Sequence, residues 1–107
     1  MTREQIMALT GRDLDAAVAA AIGKPEHGDP AWWFEVGRTM PFYSASLDLC
    51  RVAEDVVDRR GLYSEYGHSL YEVLAALKPT EWMYMSVIRA SAADRCRAIL
   101  LTLEAAK

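Results

Sequence analysis

His27 and His68 titrate near neutrality, and either residue type can serve as a general base. Neither sits where such chemistry is normally built. His27 lies in K-P-E-H-G-D-P with no nucleophile beside it, and His68 follows Gly67 within a helical pattern, so both read as solvated. Glu54, Asp55 and Asp58 make the nearest thing to a carboxylate cluster. Paired carboxylates run acid–base chemistry only when a cleft shifts their pKa values. Arg51 and Arg59 interleave with these three, which reads as the wet face of a helix. Cys50 and Cys96 have no second ligand at metal spacing and read as buried free thiols. No glycine-rich phosphate loop, G-x-S-x-G elbow or H-E-x-x-H helix occurs. The expectation is a protein without catalytic residues, cofactor or metal.

Aromatic side chains offer recognition instead. Trp32, Trp33, Phe34, Phe42 and Tyr43 fall close together. Alternation along a strand turns Trp33 away from Trp32 and Phe34, so one face of that strand needs a second cover. If Trp33 stays open, then Trp33, Arg38, Phe42 and Tyr43 form a candidate interaction patch, because tryptophan, tyrosine and arginine dominate interface hot spots. A second group, Tyr63, Tyr66, Tyr71 and Tyr84, suits stacking on a base, with Arg95 and Arg97 as phosphate ligands. Tyrosines at core edges with wet hydroxyls are the plainer account of it.

These side chains must be held by elements that the sequence marks out. Ser91 followed by Asp94 opens a helix, and Ala92, Cys96, Ile99, Leu100 and Leu103 form its apolar stripe. Arg95 and Arg97 lie off that stripe and are placed to brace neighbouring acidic helices. Thr2–Gln5 opens a helical turn with Ile6, Met7 and Leu9 as its apolar side. Thr10 and Asp13 start another helix, striped by Leu14, Val18, Ala21 and Ile22 and stopped by Gly23 and Pro25. Ser44 or Ser46 caps a third, with Ala45, Leu49, Val52, Ala53 and Val56 facing inward and Cys50 and Val57 beside them. Gly61 ends it. A fourth pattern runs from Leu62 to Leu77 through Tyr63, Tyr66, Leu70, Val73 and Leu74, with Gly67 inside it as a weak point. Residues 31–40 predict a small two-stranded hairpin, curtailed by Pro41. Residues 80–88 fit a short helix better than a strand. The fold class expected is α+β, predominantly helical: amphipathic helices packed around a small hairpin or short sheet, in one domain spanning 1–107.

At 107 residues with 52% apolar content the chain can bury a core. A net charge of −3 with mixed signs argues against a grip on the nucleic-acid backbone. Met1 leads straight into polar residues, and no apolar run approaches the ~20 residues of a membrane span. A soluble, cytoplasmic protein is expected.

Four segments together resemble a family of small tailed-phage and prophage proteins, the phage alpha-beta-alpha sandwich domain. Leu9-Thr10-Gly11-Arg12-Asp13-Leu14-Asp15, running on to Gly23, is similar to that family's opening T-G-R-E-L-D helix. Trp32-Trp33 matches its tryptophan-bearing strand, and Pro41-Phe42-Tyr43-Ser44 its P-x-Y-S segment. Arg89 to Leu101 is similar to its closing A-T-x-x-x-R-x-R-A-x-L-L helix. The sequence departs at Ser46, where aspartate is common, and over Leu62–Leu77, where many members carry strands. The resemblance implies no enzymatic activity. It implies a phage or prophage accessory protein of unsettled role. The function expected is binding to a host protein or to itself, by analogy with small phage proteins that counter host defence, and the edge of the small hairpin offers a route to a homodimer by strand pairing. The alternative is a protein that binds or sequesters a small ligand such as a nucleotide.

Overall fold

The computed structural model describes residues 1–22, 43–77 and 90–107, and every regular element among them is helical. The elements are α1 (Arg3–Ala8), α2 (Gly11–Ile22), a 3-10 turn at Tyr43–Ala45, α3 (Leu47–Arg59), α4 (Tyr63–Leu77) and α5 (Ala92–Ala105). No strand occurs among the described residues. This corrects the α+β expectation and, with it, the resemblance to the alpha-beta-alpha sandwich family. The hairpin read over 31–40 and the short helix read over 80–88 lie outside the described residues. The physical reason lies in the described segments themselves: their apolar residues recur at helical spacing behind the caps Thr2, Ser46 and Ser91, and their apolar faces are buried against one another, leaving no place for a strand among them.

Local chemistry sets the helix boundaries. Thr2 and Gln5 form a reciprocal capping box at the start of α1. Ser46 and Ser91 accept hydrogen bonds from the backbone N–H groups of Leu49 and Asp94, and so open α3 and α5. At the end of α3, Gly61 has φ +73°. Its N–H reaches the Asp58 carbonyl at 2.9 Å, while the Leu62 N–H reaches Val57 at 3.1 Å. That is a Schellman exit, which satisfies two terminal carbonyls and needs the left-handed residue glycine supplies.

The core is organised on α5. Its stripe of Ala92, Cys96, Ile99, Leu100 and Leu103 is buried as the spacing predicts, but Asp94, Ala98 and Thr102 are buried too. It is therefore wrapped on several sides. Its largest interface is with α4, and α2, α3, α1 and the 3-10 turn also pack on it. Helix α3 is rotated from the expected register. Cys50 and Val57, placed beside the stripe, are fully buried with Ala53, and Val56 is nearly so, whereas Ala45 is exposed and Leu49 and Val52 are half-buried.

One buried carboxylate locks α2 to the 3-10 turn. Asp15, 1% exposed, accepts the Ser44 backbone N–H at Oδ1 and the Arg12 guanidinium at Oδ2, both at 2.8 Å. The Ser44 hydroxyl also donates to the Gly11 carbonyl at 3.4 Å. Asp15 and Gly11 of T-G-R-D-L-D thus meet Ser44 of P-F-Y-S, and the bonds they share stabilise the fold.

Candidate functional site

Of the four residues read as an interaction patch, Trp33, Arg38 and Phe42 lie outside the described residues. Tyr43 is fully buried, in the 3-10 turn where α2, α3 and α5 converge. It serves the core and offers no surface.

The second aromatic group is split by the helical twist of α4. Tyr66 points inward at 4% exposure, while Tyr63 and Tyr71 stand outward at 64% and 51%. Tyr84 lies outside the described residues. Tyr63 meets the edge of Tyr66, with ring centroids 6.4 Å apart. The outer face of α4 carries Tyr63, Gly67 and Tyr71 in line at four-residue spacing, flanked by exposed Ser64, His68 and Glu72. His68 is exposed, as read; His27 lies outside the described residues.

Glu54 departs from its assignment to a solvated strip. It accepts the Tyr66 hydroxyl at 2.6 Å and lies 3.4 Å from the Arg95 guanidinium, with only 21% of its side chain exposed. Its strip neighbour Asp55 pairs with Arg59 on the surface. Arg95 also donates to the Ala90 carbonyl, and Arg97 donates to Asp94 at 3.2 Å and to the Leu9 carbonyl at 3.1 Å. Arg95 therefore braces α3 through an ion pair, as its position off the stripe suggested, whereas Arg97 pairs within its own helix and holds α1 only through the Leu9 carbonyl. The arrangement does not leave them on an open phosphate site beside stacked tyrosines.

The two cysteines are free, fully buried and 3.9 Å apart at sulfur, joining α3 to α5. The hydrogen bond to Cys50, and then burial, push the Cys96 thiol far above its ordinary 9.0. Burial, and then the bond to Glu54, push the Tyr66 hydroxyl above its ordinary 10.0. The folded state therefore holds both protons at pH values where the unfolded chain has released them. Their contribution is complete below the unfolded values and drains away as pH rises past them. Unfolding free energies from urea denaturation are expected to fall above about pH 9, by up to about 1.4 kcal/mol per pH unit for each group. The fall should be shallower in the Cys96→Ala and Tyr66→Phe variants; an equal fall in both would show that these groups are not the cause.

A cavity of about 390 Å³ opens where α1, the end of α2, the α3–α4 junction and the end of α5 meet. Ile6, Leu62, Leu100 and Leu103 line it with apolar surface, and Arg60, Glu104 and Lys107 bring charge to it. Arg60 donates to the Ile22 carbonyl at 3.1 Å, a cation at the C-terminus of α2. Glu104 is bound by the Met1 ammonium at 2.8 Å and by Lys107 at 3.0 Å, and these two cations hold its carboxyl below the ordinary range. Sequence reasoning missed the cavity because its walls come from separate segments, each of which reads as ordinary core or helix end.

Among the described residues no group of three or more His, Cys, Asp or Glu side chains gathers as a metal site, and no helix is long and apolar enough to cross a membrane. Comparison with known proteins returned no matching family model, curated protein or solved structure.

Proposed function

We propose that the protein is a non-enzymatic binding module that docks another protein's helix across the outer face of α4. Gly67 carries this reading. It sits mid-helix, where glycine costs about 1 kcal/mol relative to alanine. A Cβ there would meet nothing within 4 Å, so none of the described elements packed around α4 requires the small residue. A partner backbone crossing at Gly67 would require it, and the exposed rings of Tyr63 and Tyr71 would grip that partner on both sides. Phage origin and the blocking of host defence came only with the family resemblance, and they form no part of the proposal.

The two tyrosines stand four residues either side of Gly67, so a twofold axis through it sets Tyr63 of one copy against Tyr71 of the other. Such self-complementarity is what a twofold dimer needs, which makes a second copy the partner to test first. Sedimentation velocity over a concentration series should show reversible dimerisation. Gly67→Ala should raise stability by about 1 kcal/mol, and Gly67→Gln should weaken the dimer at least about tenfold, because its side chain occupies the crossing point. A wild-type protein that stays monomeric overturns the twofold reading, and a Gln variant that dimerises normally overturns the role of Gly67.

A further inference from the structure

The cavity at the ends of α2 and α5 lies apart from the α4 face, and its lining has a chemistry of its own. The wall is hydrocarbon: Ile6 is 1% exposed, Leu100 5% and Leu103 7%, with half-buried Leu62 beside them. The charges are unevenly matched. Glu104 is already bound by two cations, Lys107 and the Met1 ammonium. Arg60 has only the neutral Ile22 carbonyl, and no carboxylate among the described residues pairs with it. A guanidinium with spare donors at an apolar cavity is a site for a planar anion that carries a hydrocarbon body. The volume of about 390 Å³ falls in the range of small-ligand sites. At ~30 Å³ per non-hydrogen atom, the share a water takes in the liquid, it holds roughly a dozen such atoms.

We propose that this cavity binds a straight-chain alkanoate of about ten carbons, its tail against Ile6, Leu62, Leu100 and Leu103 and its carboxylate on Arg60. Arg60 keeps one N–H on Ile22 and offers the others to the carboxylate. The carboxylate would then rest on the guanidinium that already ties the end of α3 to the end of α2.

Isothermal titration with decanoate, kept below its micellar concentration, tests the site directly. One saturable site is expected. Arg60→Gln should weaken decanoate binding at least about tenfold while leaving n-decanol binding unchanged, since only the carboxylate needs the guanidinium. Ala106→Trp, a change at an exposed residue on the cavity wall, should abolish binding of both. Three results would overturn the proposal: no saturable uptake of decanoate, equal decanoate affinity in the Arg60→Gln variant, or unchanged binding in the Ala106→Trp variant. Binding to phosphatidylglycerol vesicles without binding of free decanoate would also overturn it, and would assign Arg60 to a membrane surface.

Discussion

Replacing Tyr43 with alanine is expected to lower the unfolding free energy by about 3–5 kcal/mol. The ring is fully buried in a three-residue turn that touches α2, α3 and α5, so its removal empties a space that three helices would have to close together. A domain of this size commonly holds only about 5–15 kcal/mol, so the variant should be visibly destabilised at 37 °C. Urea denaturation at 25 °C measures the loss, with the denaturant slope checked for constancy. Tyr43→Phe retains the ring and should keep the greater part of that stability, which separates the packing of the ring from the hydroxyl. A loss below about 0.5 kcal/mol in the alanine variant is the size expected of a surface position and would place the ring outside the core.

The second large effect is expected at Arg97. Its side chain is 14% exposed and pairs with Asp94, whose side chain is 9% exposed. It also donates to the Leu9 carbonyl, which holds the end of α1 against α5. Removing the arginine leaves a carboxylate in poor solvent and a carbonyl without its donor. Losing one member of a buried pair costs about 3–5 kcal/mol. Asp94 lies in the first turn of α5, where the helix dipole favours its charge, so Arg97→Ala should sit near the lower bound, at about 3 kcal/mol. A double-mutant cycle with Asp94→Ala should return a coupling of about 1–3 kcal/mol. Strictly additive losses would show that the two side chains act independently.

Helix boundaries were legible in the sequence because they are set by near neighbours. Thr2, Ser91 and Gly61 each act within a turn or two of chain, and the apolar stripes of α2 and α5 follow from spacing alone. What spacing cannot carry is how far a helix is wrapped by others. Asp94 and Thr102 stand off the apolar stripe, yet both are buried: Asp94 meets Arg97, and Thr102 donates to the Ala98 carbonyl at 2.8 Å. Thr102 also lies 3.0 Å from the Ser69 hydroxyl of α4. Glu54 was hidden in the same way, since Tyr66 is 12 residues away and Arg95 is 41. The register of α3 shifted because small and β-branched residues line more than one of its sides, leaving the stripe ambiguous by about one residue. Tyr43 enters the candidate patch only through its aromatic neighbours, and its residue type suits core and surface alike. The α4 face was half legible: Gly67 was marked as a weak point, but only exposure separated Tyr63 and Tyr71 from Tyr66.

The position of α5 at the centre of the core bears on how the protein is made. It is the last of the described helices to be synthesised, and α1, α2, α3 and α4 all pack on it or beside it. Ile22 and Leu103 are 81 positions apart, so at ~5–20 residues per second the apolar face of α2 waits roughly 4–16 s for its partner to be built. During that interval Leu14, Val18 and Ile22 lack the largest part of their cover, although the 3-10 turn and α3 are made earlier and also pack on α2. A ribosome-bound chaperone would find its substrate there. A stop codon anywhere before α5 would leave every earlier helix without the surface on which it folds.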